Sequence, residues 1–216
     1  MNHTAAAFID DAIAAGAILF GDFRTKAGRQ SPYFFNAGQF CTGAGLARLG
    51  EHYADALLDS EVAFDGIFGP AYKGIPLAAS IAIALAKRGR DVPYSFNRKE
   101  AKDHGEGGTV VGAPLKGRLV IVDDVISAGT SVRESLDILH DAGAQVAAVV
   151  IALDRQEQGP NGRSAVDEVR EQLGVPVIAV ATLDDLIARL QDDPARSDSL
   201  AAIRAYRTQY GVNARS

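Results

Sequence analysis

The segment LVIVDDVISAGTS, residues 119–131, carries the most specific chemical pattern in the chain. An unbroken apolar run delivers two adjacent carboxylates, Asp123 and Asp124, and a loop of small and hydroxyl-bearing residues follows. Such a loop, placed before a helix, directs backbone N–H groups and hydroxyls at one point and suits a phosphate monoester. The two carboxylates can accept hydrogen bonds from a diol or help to hold a divalent cation. Together these groups predict a site for a ribose 5-phosphate.

The alternative to a binding site is an ordinary structural role, in which a strand ends in a capping aspartate and continues into a turn. For a bare Asp-Asp pair this alternative is as plausible as a binding site, but the whole of residues 119–131 favours the site. Two other phosphate-binding patterns are missing from the sequence. The P-loop pattern GxxxxGK[ST] does not occur, and the dinucleotide fingerprint GxGxxG does not follow the first core strand.

A second stretch, KEAKDHGEGGT at residues 99–109, combines cations with glycines. It is too charged for a core and too rich in glycine for a helix, and taken alone it could equally be a solvated loop. Its three glycines allow a loop to move. A moving loop can bring Lys102 and His104 to an anionic ligand and withdraw them again. We therefore expect residues 98–108 to form a mobile cationic loop.

Strands and helices alternate along the chain from about residue 62 to residue 182, which predicts βαβ units and a mostly parallel sheet. The predicted strands are apolar throughout, as expected where helices cover both faces of a sheet. A smaller N-terminal piece is predicted to hold two helices and a short strand pair, and to lie over the sheet. The fold class is therefore α/β.

Ligands bind at the carboxyl ends of the strands in open sheets of this kind. Here those ends fall at residues 69–74, 98–108, 123–130 and 154–155. Most of the chemically active residues lie in these four ranges, so we expect them to meet at one edge of the sheet.

Composition limits the function classes that the chain can serve. The formal net charge is −5, whereas a general nucleic-acid binder is more often basic. The single cysteine, Cys41, rules out an internal disulfide and is expected to be a small buried or half-buried residue. Asp10 and Asp11 interrupt the apolar N-terminal run, and the longest apolar runs are too short to span a bilayer. We therefore expect a cytoplasmic protein without a signal peptide.

Residues 119–131 resemble the 5-phosphoribosyl 1-pyrophosphate (PRPP) signature of the type I phosphoribosyltransferases. Residues 98–108, RKEAKDHGEGG, resemble the flexible catalytic loop of the orotate phosphoribosyltransferases within that group, whose pattern is R-K-x-x-K-D-H-G-x-G-G. The runs SPYFFNAG, GPAYKGIPLA and ALDRQE match the same family in the same order, so the resemblance covers nearly the whole chain. Ser127 stands where threonine is more usual in the family, and it keeps the hydroxyl.

The resemblance implies a type I phosphoribosyltransferase fold, a central, mostly parallel sheet flanked by helices, with a small N-terminal hood in residues 1–61 and the core in residues 62–216. It implies transfer of the ribose 5-phosphate group from PRPP to orotate, which gives orotidine 5′-phosphate and pyrophosphate in de novo pyrimidine (UMP) biosynthesis. The implied cofactor is Mg²⁺, bound mainly through PRPP oxygens, with Asp123 and Asp124 reached through water. The implied assembly is a homodimer whose active sites are shared across the interface, without nucleic-acid or membrane partners.

The same resemblance assigns roles to individual residues. The catalytic residues would be Lys102, His104, Asp123 and Asp124. The PRPP-binding residues would be Lys26, Tyr72, Lys73, Arg98, Lys99, Lys102, His104, Asp123, Asp124, Val125, Ile126, Ser127, Ala128, Gly129, Thr130 and Ser131. The orotate-binding residues would be Lys26, Phe34, Phe35, Ser127 and Arg155.

Several of these roles have ordinary structural alternatives. A lone lysine at a helix start, such as Lys73, is usually just solvated. Phe34 and Phe35 are adjacent on a strand and face opposite sides, so only one can stack on a base while the other packs in the core. Arg155 matches a carboxylate with two parallel hydrogen bonds, yet it could instead pair with a surface acid.

Two other functions would keep the PRPP site. A purine-base phosphoribosyltransferase is disfavoured because purine-using relatives lack the Lys-Asp-His-Gly pattern of residues 102–105. A non-catalytic regulator that senses PRPP would tend to lose Lys102 and His104 or to gain a DNA-binding segment, and neither change is seen.

Overall fold

A computed structural model describes residues 3–25, 27–102, 108–126, 129–159 and 161–212. Within these ranges the helices and strands are, in order, α1 (His3–Ala14), β1 (Ile18–Arg24), β2 (Gln30–Phe35), α2 (Gly43–Asp59), β3 (Gly66–Gly69), α3 (Gly74–Lys87), β4 (Tyr94–Lys102), β5 (Gly108–Gly112), β6 (Arg118–Asp123), α4 (Thr130–Asp141), β7 (Gln145–Asp154), α5 (Ala165–Leu173), β8 (Val177–Thr182), α6 (Leu183–Gln191) and α7 (Ser197–Tyr210). Short 3₁₀ turns lie at Ala37–Gln39 and Pro194–Arg196.

The main sheet has the strand order β5-β4-β3-β6-β7-β8 among the described residues. Neighbouring strands from β4 to β8 along this order are parallel, whereas β5 runs antiparallel to β4 at the edge. The predicted α/β class with a mostly parallel sheet is therefore confirmed. The carboxyl ends of β3, β6 and β7 lie at one edge of this sheet, because parallel strands point the same way.

The sequence analysis missed β5 and the full length of β4. We expected a loop from residue 98, which was wrong for residues 98–102, because β4 continues to Lys102 and pairs there with Gly108. The charges that favoured a loop are tolerated because this hairpin lies at the sheet edge, where side chains reach solvent. Residues 103–107 lie outside the described residues.

β6 shows why the central strands are apolar throughout. Val120 and Val122 belong to one core cluster with residues of α2 and α3, whereas Leu119 and Ile121 belong to another with residues of α4 and α5. Successive side chains of a strand point to opposite faces, so a strand covered on both sides needs apolar residues at every position. The first polar side chain after this run, Asp123, therefore stands at the carboxyl edge of the sheet.

The N-terminal piece combines an antiparallel strand pair, β1 with β2, and two helices that join the main core. α1 packs against β8 and α6, α2 packs against α3, and the C-terminal α7 packs against β2. Residues of α1 and α2 consequently share one hydrophobic cluster with the main sheet. In the part of the chain that the structure describes, no helix is both long and apolar enough to cross a membrane.

The close approach of α2 to α3 depends on Gly50. A Cβ at this position would lie 2.7 Å from the backbone carbon and oxygen of Ser80, which is closer than real Cβ contacts come. We expect Gly50→Ala to lower the free energy of unfolding by about 1–3 kcal/mol, because the two helix backbones must move apart. Urea unfolding measures this difference. Gly43→Ala, in the first turn of the same helix, is the matched control, since a Cβ there meets nothing within 4 Å. Equal stability of the two variants would contradict the proposed contact.

Candidate active site

The two carboxylates at the end of β6 are buried and held in a rigid turn. Asp123 is 9% exposed and Asp124 is 6% exposed. The Tyr53 hydroxyl, from α2, donates a hydrogen bond of 2.8 Å to the backbone carbonyl of Asp123. The backbone N–H of Asp124 donates to the Asp123 carboxylate at 2.8 Å, and the N–H of Val125 donates to the Asp124 carboxylate at 3.0 Å. The position of both acids is therefore fixed before any ligand arrives.

Burial changes the acidity of the first of these acids. Desolvation raises the pKa of Asp123 from 3.8 to about 6, although the N–H of Asp124 opposes this rise with a hydrogen bond. The neighbouring Asp124 charge raises the pKa further, and a hydrogen bond with the Ser131 side chain lowers it. A carboxylate in this condition is stabilised by hydroxyl donors or by a cation. A diol is one ligand group that carries such donors.

A cation from the neighbouring strand end reaches the second acid. The Nζ atom of Lys73 lies 2.5 Å from Oδ2 of Asp124, and the lysine side chain is 60% exposed. Lys73 lies in the turn after β3. This turn brings the backbone at Gly69 and Gly74 so close that a Cβ at Gly69 would lie 2.1 Å from the carbonyl oxygen of Gly74. The predicted alternative, a merely solvated Lys73, is thus wrong, because this lysine pairs with a site carboxylate.

The turn after β3 is also tied to β4. The backbone N–H of Ala71 donates to Oδ1 of Asn97 at 2.7 Å. The next residue, Tyr72, is 69% exposed, and Nζ of Lys99 lies 5.4 Å from the centroid of its ring. Arg98 precedes Lys99 on β4. The structure therefore brings three predicted PRPP-binding residues, Tyr72, Lys73 and Lys99, to the same strand ends.

The start of α4 supplies the predicted phosphate-binding groups. Gly129 precedes the helix with φ of +67°, a left-handed conformation that glycine adopts without steric cost. Thr130 and Ser131 form the first helical turn, whose N–H groups have no partner within a helix and suit an anion. Val125 and Ile126, on the other side of the loop, are half-buried.

Arg155, at the end of β7, connects the main sheet to the N-terminal strand pair. Its Nε donates to Oε1 of Glu157 at 2.7 Å, and its Nη2 donates to Oγ of Ser31 at 3.1 Å. Its guanidinium carbon lies 4.2 Å from the centroid of the Tyr33 ring. The arginine therefore pairs with an acid, as in the alternative interpretation, but Glu157 is only 18% exposed and is not a surface residue. A guanidinium has five N–H donors, so a ligand carboxylate can bind as well.

The two adjacent phenylalanines do face opposite sides of β2. Phe34 is 45% exposed and stacks on Phe23 with 5.6 Å between ring centroids. Phe35 is buried and meets Phe8 edge-on at 6.2 Å. Phe34 is consequently the member of the pair whose ring is accessible to a base.

An open cavity of about 300 Å³ lies beside Lys73 and Asp124. Its other walls come from residues 37–46 and the first turns of α3. Cys41 lines this cavity and is exposed, so the prediction of a buried or half-buried cysteine was wrong. Cys41 lies in the short segment between the 3₁₀ turn at Ala37–Gln39 and α2.

Some predicted site residues lie outside the described residues. They are Lys26, His104, Ser127 and Ala128, and the side chain of Lys102. Conversely, the sequence analysis missed Tyr53, Asn97 and Glu157. Only Glu157 had a local signal, since it stands two residues after Arg155 in the matching run ALDRQE. Tyr53 and Asn97 act across 70 and 26 residues of chain, which no local pattern records.

Comparisons with known proteins agree with this geometry. The phosphoribosyl transferase domain family matches residues 41–185. An orotate phosphoribosyltransferase of Thiobacillus denitrificans is 63% identical over 98% of this chain and 100% of its own length. One of Cronobacter sakazakii is 59% identical over 95% of this chain and 97% of its own length. A crystal structure of the orotate phosphoribosyltransferase of Francisella tularensis superposes with a TM-score of 0.85 at 40% identity, covering 95% of this chain and 99% of the other.

The raised pKa of Asp123 makes a prediction about stability. A pKa raised on folding contributes stability that is fully present below the unfolded value of 3.8 and is lost as the pH rises through about 6. Asp123→Asn removes this titration. We therefore expect the variant to gain stability relative to the wild type between about pH 4 and pH 7, by up to about 3 kcal/mol at 1.36 kcal/mol per pKa unit.

Urea unfolding of both proteins across this pH range measures the difference. Asp65→Asn is the matched control, because a hydrogen bond from the Arg118 side chain lowers the pKa of Asp65. Its difference from the wild type should stay nearly constant across this range, because the lowered pKa places its titration below 3.8. A difference for Asp123→Asn that stays constant with pH would disprove the raised pKa.

Proposed function

This chain belongs to the orotate phosphoribosyltransferases, within the phosphoribosyltransferase family, and we propose that it transfers the ribose 5-phosphate group of PRPP to orotate. The products are orotidine 5′-phosphate and pyrophosphate, and the reaction is a step of pyrimidine biosynthesis. The enzyme is therefore a pentosyltransferase. The observation that carries the assignment is the buried pair of Asp123 and Asp124 between Lys73 and the start of α4.

The ribose hydroxyls and the 5-phosphate of PRPP fit two different sets of groups in this arrangement. Asp123 and Asp124 accept hydrogen bonds from the ribose hydroxyls, which supply the donors that buried carboxylates require. The phosphate lies against the N–H groups and hydroxyls of residues 125–131, where the helix N-terminus favours negative charge. Sugar and phosphate are thus bound by different groups at the same end of β6.

Orotate is proposed to bind between Arg155 and β2. Orotate carries a carboxylate, which a guanidinium fork matches in geometry and charge. Arg155 bonds to Ser31 on β2, and Phe34 presents its exposed ring from the same strand. Phe35, Lys26 and Ser127 complete the proposed orotate set, Phe35 through the backbone of β2.

The chemical step breaks the bond between C1 of the ribose and the pyrophosphate. The sugar acquires oxocarbenium character, and the leaving pyrophosphate gains negative charge. Positive charge held where this negative charge grows stabilises the transition state. Lys73 and Lys99 stand at the adjoining strand ends, and β4 carries Lys102 toward the segment that holds His104. These cations need to meet the pyrophosphate only while PRPP is bound.

Mg²⁺ is the proposed cofactor. Carboxylate and phosphate oxygens are the ligands that this cation prefers, and it usually keeps several waters. Among the described residues no group of three or more acidic, histidine or cysteine side chains could hold a metal. Asp123 and Asp124 therefore fit Mg²⁺ held mainly by PRPP oxygens, with the two acids reached through water. When bound, the cation neutralises charge on the pyrophosphate.

Three further proposals concern assembly, domain division and location. The homodimer with shared active sites is supported by the resemblance of residues 98–108 to a loop that reaches the neighbouring subunit's site. The division into an N-terminal hood of residues 1–61 and a core of residues 62–216 is supported by the separate β1–β2 pair. The cytoplasmic location is supported by the single cysteine, which suits a reducing compartment.

An absorbance assay of orotate loss tests the function directly. With PRPP and Mg²⁺ present, we expect orotate to be consumed and hypoxanthine, adenine and uracil to be left unchanged, because only orotate has a carboxylate for Arg155. EDTA should stop the reaction, since the charge on the pyrophosphate then lacks its counterion. Excess Mg²⁺ should restore the activity. Consumption of a purine instead of orotate would overturn the assignment. Full activity in metal-free buffer would exclude a role for Mg²⁺ in the reaction.

Lys102→Ala tests the cationic loop. The charge of Lys102 acts mainly in the transition state, so we expect kcat to fall roughly 10²–10³-fold while PRPP remains bound with little change. Steady-state kinetics and a PRPP titration measure the two effects. Lys116→Ala, which removes an exposed lysine before β6, is the control and should keep its kcat. An unchanged kcat for Lys102→Ala would exclude this lysine from the mechanism.

A further inference from the structure

Glu157 is a half-buried acid to which the reaction assigns no role, and it lies at the centre of a polar cluster. Its Oε1 atom accepts hydrogen bonds from Nε of Arg155 at 2.7 Å and from the hydroxyl of Tyr206, on α7, at 2.9 Å. Nη2 of Arg155 lies 2.5 Å from the same oxygen. Nη1 of Arg29 lies 3.7 Å from Oε2. One carboxylate thus contacts two arginines and a tyrosine from different parts of the chain.

The backbone around Glu157 is fixed on both sides. Gln156 adopts φ of +51°, a conformation that residues other than glycine rarely adopt. Its carbonyl accepts from the N–H of Val212 at 2.8 Å, and the N–H of Gln158 donates to the carbonyl of Tyr210 at 2.8 Å. The Gln156 side chain also exchanges two hydrogen bonds with Asp184, at 3.0 Å and 2.9 Å. The end of α7 therefore holds the Glu157 carboxylate in place.

This fixed carboxylate determines how Arg155 is presented. An arginine side chain is long and loses much rotamer freedom when it is ordered. Glu157 engages the edge of the guanidinium formed by Nε and Nη2, so the group is already ordered. A guanidinium has five N–H donors, so this contact does not use all of them. Removing the negative charge of Glu157 would by itself strengthen the attraction of Arg155 for an anion, so weaker binding in its absence would report the loss of order.

We infer that Glu157 is a positioning residue for orotate, which orders Arg155 so that its guanidinium is presented to the ligand carboxylate. The inference rests on the proposed function, in which Arg155 contacts that carboxylate. Tyr206 and the end of α7 support Glu157 in turn, so the C-terminal helix contributes to base recognition without touching the base.

Glu157→Gln tests the inference because it keeps the shape and removes the charge. We expect the KM for orotate to rise about tenfold, which corresponds to the loss of one charge-assisted hydrogen bond, while the KM for PRPP stays within about twofold. Tyr206→Phe removes one hydrogen bond to Glu157 and should raise the KM for orotate by a smaller factor. Glu171→Gln is the matched control, because this glutamate on α5 pairs with Arg163 on the surface. It should change neither constant.

The Arg155→Ala variant separates the inference from the proposal beneath it. If Glu157 acts through Arg155, adding Glu157→Gln to Arg155→Ala should raise the KM for orotate no further. A large effect of Arg155→Ala together with no effect of Glu157→Gln and Tyr206→Phe overturns the positioning role alone. No effect of Arg155→Ala on the KM for orotate overturns the arginine assignment, and the positioning role with it. If Glu157→Gln raises the KM for orotate and the KM for PRPP by the same factor, Glu157 has only a general structural role, and the inference is also overturned.

Discussion

The burial of two adjacent carboxylates at the end of one strand is the constraint on which the rest of the site depends. Ionised groups removed from water are unfavourable unless hydrogen bonds or opposite charges replace the water. Asp124 has Lys73 and the N–H of Val125, whereas Asp123 has the N–H of Asp124 and the Ser131 side chain. The replacement is incomplete for Asp123, as its raised pKa indicates. A ligand with hydroxyls completes it, so binding relieves an unfavourable feature of the folded protein.

The opposite arrangement holds at the end of β7. There two arginines, Arg155 and Arg29, contact the carboxylate of Glu157. The two strand ends therefore differ in chemistry, one carrying acids that suit sugar hydroxyls and the other carrying an arginine that suits a carboxylate. Because both stand at the carboxyl edge of one sheet, a single fold can orient two reactants of different chemistry.

The sequence was sufficient where local pattern and burial agree. The run at residues 119–131 predicted a strand, two acids and a helix start, because a strand covered on both faces must be apolar until it reaches the edge. Prediction failed where the edge of the sheet relaxes that rule, as in the charged end of β4. It also failed for Tyr53 and Glu157, whose partners are brought together only by tertiary packing. Cys41 was misjudged because its residue type says little about a turn that borders a cavity.

The hydrogen bond from Tyr53 to the carbonyl of Asp123 crosses the boundary proposed at residue 61. Residues 1–61 therefore include a side chain that positions the Asp123–Asp124 turn of the core. A chimera that takes its first 61 residues from a distant relative needs a tyrosine at the matching place on the second helix, or the turn at Asp123 and Asp124 loses this contact although both parent halves are intact.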